Sequence, residues 1–249
     1  MAVVLKSSQE IEKMHRAGQV VREVLELVRS KVKPGATTFD LEKAAEARLI
    51  ELGVKAAFKG YHGFPCVLCT SVNSEVVHGI PSPKRVLRQG DIVSVDFGVV
   101  VDGYYGDAAI TVPVGEIGND AARLLRVTEQ SLEAGIAAVK PGATLGDVGA
   151  AVQNVVEREG FSVVRDFVGH GIGSHMHEEP QVPNFGQAGE GMKLKPGMVI
   201  AIEPMVNAGG PDVMVLDDGW TAVAKDGSMS AHFEHTVAVT AEGARVLTE

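Results

Sequence analysis

The hexapeptide VKPGAT occurs twice, at 32–37 and at 139–144, and its surroundings recur with it. In the first copy Thr37 or Thr38 can cap a helix, with Asp40 in the first turn; in the second, Thr144 and Asp147 repeat the arrangement. Such caps satisfy the free N–H groups at a helix start, and an early acid suits the helix dipole. Gly53 and Gly160 are suited to end these helices. A further helix precedes each copy. The first, over 8–32, carries Ile11, Met14, Val21, Leu25, Val28 and Val32 as an apolar stripe and opens with a Ser7–Glu10 capping box. The offset of 107 residues also carries LRQGDIVSVDFG, from Leu87, onto LKPGMVIAIEPM, from Leu194. Both read as a turn followed by a strand, and Asp96 falls on Glu203. A chance hexamer would not bring a second segment along in register. The chain therefore reads as two related helix–helix–strand halves sharing one sheet, an α+β fold. Equivalent strands should meet near a pseudo-two-fold axis, each bringing one carboxylate. Two buried carboxylates that face each other require a shared proton or a cation.

The 249 residues are 45% hydrophobic and 22% charged, ordinary values for a globular protein with a substantial core. No apolar run reaches the roughly eighteen residues of a membrane span. The N-terminal MAVVLKSSQE does not read as a signal peptide. A net charge of −9 argues against broad nucleic-acid binding. The local basic spot of Lys84, Arg85 and Arg88 reads as a solvated loop. Cys66 and Cys69 form a C-x-x-C pair without the second pair that a structural zinc site needs. The extended-looking TSVNSEVVHG after them does not open the helix of a redox motif. Two buried thiols in a reducing compartment are expected.

Further ligand types lie around the seam. Asp102-Gly103 is a hairpin turn signal after Asp96. A two-residue turn would set Asp96 opposite Ala109 and leave Asp107 diagonal to it on the same face, unless a bulge near Gly106 changes the register. VGHGIGSHMHEEP holds His170, His175 and His177, and SAHFEHTVAVT alternates like a strand carrying Glu234. Taken singly, such an acid is more often solvated and such a histidine more often a hydrogen-bonded structural residue.

Together the strings resemble the type I methionine aminopeptidases: VHGIP around His78, VDFG around Asp96, DGYYGD to Asp107, GHGIG around His170, HEEP from His177, IEPM around Glu203 and EHT around Glu234. The resemblance spans nearly the whole chain in family order. It implies the pita-bread fold, one catalytic domain over 1–249 with a curved, mainly antiparallel sheet. It implies two divalent ions (cobalt, manganese, iron or zinc) held by Asp96, Asp107, His170, Glu203 and Glu234. Asp107 and Glu234 would bridge the ions, Asp96 would hold one, and His170 with Glu203 the other. Four carboxylates and an imidazole leave two such ions about neutral, and an oxygen-rich set accepts several metals. Glu203 would shuttle a proton, His177 would stabilise the developing oxyanion, and His78 would contact the substrate backbone. Phe58, Tyr61, Phe64, Cys69, Met176 and Trp220 would form a methionine slot, with His62 at its entrance. Asn73 and Ser230 match positions near a monovalent-cation site of some relatives. His175 and His232 match no family role.

The implied substrates are N-termini of nascent proteins, with the ribosome as a partner and a cytoplasmic monomer as the default state. Two other readings compete. A proline-specific peptidase of the same fold would usually carry an extra N-terminal domain, for which the first half-repeat, beginning almost at Met1, leaves no room. A metal-free binding protein would not keep all five ligands.

Overall fold

Ser7, Thr37 and Thr144 each cap a helix, and the acid three residues on, Glu10, Asp40 or Asp147, returns the bond to the cap backbone. The computed structural model describes residues 3–249. Its helices are α1 (Ser8–Lys31), α2 (Thr38–Leu52), α3 (Asn119–Ala138) and α4 (Leu145–Arg158). α2 ends on left-handed Gly53, as expected. α4 ends one residue before its glycine, with Glu159 as the cap and Gly160 left-handed directly after.

The repeat is one of hydrogen bonds as well as letters. Gly35 N–H donates to Leu87 C=O (2.8 Å), and Gly142 N–H to Leu194 C=O (3.0 Å). Thr37 bridges to Val86, and Thr144 to Lys193. Every partner in the second set lies 107 residues beyond its counterpart.

The first half contributes β1 (Lys55–Ala56), β2 (Leu68–Val72), β3 (Glu75–Val77), β4 (Ile92–Val101) and β5 (Tyr104–Pro113). The second contributes β6 (Ser162–Val163), β7 (Gly169–Gly171), β8 (Glu178–Val182), β9 (Val199–Ile202) and β10 (Met205–Asn207). It continues with β11 (Val213–Val215), β12 (Ala222–Ala224), β13 (Ser230–His232), β14 (Glu234–Val239) and β15 (Ala244–Val246). The main antiparallel sheet has nine strands in the order β1-β4-β5-β14-β9-β7-β8, with β2 on β4 and β15 on β14. β13-β10-β6 and β11-β12-β3 form two smaller sheets.

The equivalent strands β4 and β9 do not touch. They flank an inner pair, β5 and β14, and the seam runs between those two. Asp96 lies opposite Ala109. In the second half Ile202 faces His235 and Met205 faces His232, a register that sets Glu203 opposite Glu234. Since Asp96 corresponds to Glu203, Ala109 corresponds to Glu234, and two residues back Asp107 corresponds to His232. Ala109 and Glu234 also pair with each other across the seam, so the pseudo-two-fold axis passes through that pair. The hydrogen bonds obey the same symmetry. Thr236 Oγ1 donates to the Asp107 carbonyl (2.7 Å) and accepts its N–H (3.2 Å). Thr111 Oγ1 donates to the His232 carbonyl (2.7 Å) and accepts its N–H (2.9 Å).

Two apolar cores cover the helical side. Val21, Leu25 and Leu41 of α1 and α2 pack on Val95 and Phe97; Leu132 and Val148 of α3 and α4 pack on Ile200 and Val237; Ile110, at the seam, touches both. Along β4 the core residues Val93, Val95, Phe97 and Val99 alternate with Asp96 and Gly98. Alternation therefore turns Asp96 to the face that carries no helices.

Candidate metal centre and substrate slot

The β4–β5 connection places the first two carboxylates. Asp102 and Gly103 both have left-handed backbones (φ 50° and 79°), as a two-residue hairpin turn with the right twist requires. The ladder then runs without a bulge from Val101–Tyr104 to Ile92–Pro113. Asp107 lies diagonal to Asp96, as the turn implied, and directly opposite Gly98. Gly98 is needed there. A Cβ on it would come 2.8 Å from the Phe58 ring and 3.2 Å from Asp107 Oδ1.

The second half reaches the same face differently. Pro204 follows Glu203, and proline has no N–H to extend a ladder, so β9 stops and resumes as β10. Asn184 Nδ2 donates to the Glu203 carbonyl (2.9 Å). His170 comes from β7, whose Gly171 pairs with Ile200. Its Nδ1 lies 2.9 Å from the Gly171 carbonyl. A proton on Nδ1 satisfies that contact and leaves the Nε2 lone pair free, 3.7 Å from Glu203 Oε1.

Ligand atoms of Asp107, His170 and Glu234 lie within 4.8 Å of one another, as do those of Glu203, His232 and Glu234. Glu234 belongs to both groups. Asp96 belongs to neither and stands beside Asp107. Asp96 Oδ1, Asp107 Oδ1, Glu234 Oε1 and His232 Nε2 are buried without a hydrogen-bond partner. Burial, and then the mutual repulsion of the acids, pushes Asp96, Asp107 and Glu234 well above the usual carboxylate range. Burial raises Glu203 to about 8 and lowers His170 and His232 to about 3. Orphaned carboxylate oxygens facing a neutral imidazole in a buried place fit divalent cations, which would supply the missing charge.

A cavity of about 280 Å³ leads to these groups. Phe58, Tyr61, His62, Phe64, Cys69, His78, Met176, His177 and Trp220 all line it, along with Asp96, Asp107, His170, Glu203 and Glu234. Phe58, Phe64, Cys69 and Met176 also pack together as a small core against Tyr61 and Trp220, so the same residues pack and line the cavity. His62 sits at the exposed rim with a left-handed backbone (φ 48°). The two histidines on either side of Met176 part company: His175 faces solvent, whereas His177 packs 4.3 Å from the His170 ring with Nδ1 2.8 Å from Tyr61 Oη. Desolvation, and then His62, lowers the His177 imidazole below its ordinary range. His78 is pushed by burial to about 4 and stands edge-on to Phe167 at 5.4 Å. Phe167, Val168, Val77 and Met205 complete the lining and were not singled out in the sequence. Met205 could have been, since it corresponds to Gly98 under the repeat.

Other sequence expectations have plain places. Cys66 and Cys69 are free and buried; burial, with Glu42 beside Cys66, raises that thiol to about 11, and burial raises Cys69 well above its usual value. Neither is poised as a thiolate. Glu75 accepts the Val72 N–H and pairs with Arg85, which pins a turn. Asn73 uses its side chain on Ile92 N–H and Asp91, and its carbonyl accepts the Ser230 N–H (2.8 Å). Among the described residues no helix is long and apolar enough to cross a membrane.

Known proteins share this architecture. Residues 12–241 match the model of metallopeptidase family M24. Methionine aminopeptidase A of Synechocystis is 51% identical over 99% of this chain and 97% of its own length. The crystal structure of a methionine aminopeptidase from Thermotoga maritima superposes with a TM-score of 0.98 at 50% identity, over the full length of both chains. A prolidase from Pyrococcus horikoshii shares the fold alone: TM-score 0.78, 21% identity, 99% of this chain but 63% of that one.

Proposed function

This chain belongs to metallopeptidase family M24, and from that premise we propose that it is an aminopeptidase removing the initiator methionine of nascent proteins when the second residue is small. It is a hydrolase with the pita-bread fold and a divalent-metal site. The observation that carries the reading is the convergence of four carboxylates and His170 in the lining of one cavity whose other walls are largely apolar and aromatic.

Asp96, Asp107, His170, Glu203 and Glu234 would hold two ions of cobalt, manganese, iron or zinc. When bound, such a pair polarises a carbonyl and lowers the pKa of water. The protein supplies the rest. Phe58, Phe64, Cys69, Met176 and Trp220 receive the methionine side chain through apolar and polarisable contacts. Tyr61 orients the His177 ring, whose Nε2 is left to donate to oxygen as charge develops there. His78 contacts the substrate backbone, and His62 borders the mouth. Glu203, within the same centre, would hold and return a proton. Asn73 and Ser230 would serve a monovalent cation. The single domain would act as a cytoplasmic monomer on chains leaving the ribosome.

The test is kcat/KM on tripeptides varied one position at a time with the preferred metal. Met-Ala-Ser, Met-Gly-Ser and Met-Ser-Ser should be cut well, and Met-Leu-Ser, Met-Lys-Ser and Met-Glu-Ser poorly. A missing methylene in an apolar slot changes binding by about 1–3 kcal/mol, so leucine in first place should be cut slowly. A clash at the second residue displaces the carbonyl and should discriminate more sharply. Equal rates for Met-Ala-Ser and Met-Leu-Ser would sink the steric claim. Preference for Ala-Pro-Ser would move the chain to the proline-specific class.

A further inference from the structure

His232 is the buried histidine that the reading above leaves without a task. It is 1% exposed, and its Nε2 has no hydrogen-bond partner although it is fully enclosed. That atom lies 3.4 Å from Glu203 Oε2. On the other side of the same carboxylate, His170 Nε2 stands 3.7 Å from Oε1. Glu203 is thus placed between two imidazole nitrogens.

The two imidazoles differ in how their second nitrogen is used. His170 Nδ1 faces the Gly171 carbonyl, which claims its proton and frees Nε2 to bind a cation. His232 Nδ1 meets no such acceptor among the described residues. A neutral imidazole carries one proton, and a proton on His232 Nε2 would have the ionised Glu203 carboxylate within reach. An Nε2 bearing a proton is a donor and not a metal ligand.

The backbone of His232 is fixed enough for this to matter. Thr111 Oγ1 holds both its N–H and its carbonyl, as Thr236 Oγ1 holds those of Asp107 across the pseudo-two-fold axis. The fold therefore delivers a side chain to this place with the same rigidity in both halves. In one half the side chain is a carboxylate at the centre. In the other it is an imidazole ring beside Glu203.

We propose that His232 is a positioning residue for Glu203: its Nε2–H donates to Oε2, so that Oε1 is presented toward His170, with which it would hold a divalent cation. The proposal rests on the reading of Glu203 as a metal ligand. It gives Glu203 two anchors, Asn184 on its carbonyl and His232 on its carboxylate. Partners that hydrogen-bond a ligand in this way are worth about 10–100-fold in metal affinity.

The experiment is calorimetric titration of metal-stripped protein with Mn²⁺ for wild type, His232→Gln, His232→Leu and His232→Ala. Gln keeps an N–H donor at a comparable reach from the backbone; Leu fills the space without one. Leu and Ala should weaken one of the two binding steps by about 10–100-fold, and Gln should stay within about threefold of wild type, because the donor survives. Wild-type affinity in the Leu variant would overturn the proposal. So would a Gln variant as weak as Leu, which would make the imidazole nitrogen itself the ligand. A crystal structure of Mn²⁺-loaded wild type decides independently of how the variants fold. His232 Nε2 should lie within about 3.2 Å of Oε2, and a bond of about 2.0–2.2 Å from Nε2 to an ion would overturn the proposal. Failure of the wild type to bind Mn²⁺ at all would instead refute the metal-site reading on which the proposal stands.

Discussion

The two halves share a backbone plan and differ in how they finish it. In the first, β4 and β5 are ten residues each and turn through two, giving one stiff hairpin whose acids are short aspartates. In the second, Pro204 breaks the matching strand, and the chain leaves from Ala208 to Met229 before β13 and β14 return. Its acids are the longer glutamates, and its own contribution from β7 is His170. The stiff half places carboxylates by register alone. The interrupted half has longer side chains and therefore needs partners to aim them, which is where Asn184 and His232 stand. The axis pair makes the same point: Ala109 leaves room for Glu234, its own counterpart, to project into the centre.

The comparison is tested most severely at the ligands. Asp107→Ala and Glu234→Ala remove one residue from each half. If both bridge the ions, each variant should lose both metals by elemental analysis and at least about a thousandfold in kcat/KM, about 4 kcal/mol of barrier. Two retained metals and full activity in either variant would take that residue out of the centre. His177→Ala, in the interrupted half but outside the ligand set, should keep both metals and lose about a hundredfold in kcat, as for one lost donor to a developing oxyanion. If it instead loses metal and recovers wild-type turnover on reloading, His177 is a ligand or support, and His175 should be tested next.

Gly98→Ala probes the tolerance of the stiff half. The added carbon must displace Phe58 and crowd Asp107, so thermal denaturation should report about 1–3 kcal/mol of lost stability. No change would mean that the hairpin yields more than its register suggests. Thr236→Val and Thr111→Val cut the two symmetric clamps. Each strands a backbone N–H and should cost about 1–3 kcal/mol, but only the first loosens a ligand directly, so Mn²⁺ affinity should fall more in Thr236→Val.

The smallest effect is in pH. Without metal, Glu203 keeps its proton to about pH 8 when folded but ionises near 4.5 when unfolded. Between those values the folded chain binds the extra proton, so stability falls as pH rises. The buried histidines, lowered to about 3 to 4, act in the opposite sense only below 6.5, where the unfolded chain protonates. The melting temperature of metal-free protein should therefore drop from pH 6.5 to 8, and bound ions should remove the drop. A flat profile without metal would show that the carboxylates are not held protonated.

Much of this was legible in the sequence where periodicity and turn chemistry are local. The capping boxes at Ser7, Thr37 and Thr144, the Asp102-Gly103 turn and the diagonal placing of Asp107 all follow from spacing. The equivalence of Asp107 with His232 does not. Carried past Glu203, the 107-residue offset sets Asp107 on Met214, in the excursion, because the second hairpin is interrupted there. Only the register of β14 against β5 and β9 restores the match. The parting of His175 and His177 was hidden for a similar reason, since their segment bends before β8 and strand alternation does not govern it.

The excursion has a consequence in time. β14 lies at the middle of the nine-stranded sheet, yet only one strand follows it in sequence. The first-half hairpin and its helices can form from near neighbours, whereas the seam must wait for a segment more than a hundred residues away, and such distant closures are slow. A refolding chain should regain helical circular dichroism well before it regains metal affinity, with the half-built sheet exposing the edge of β5 in the interval.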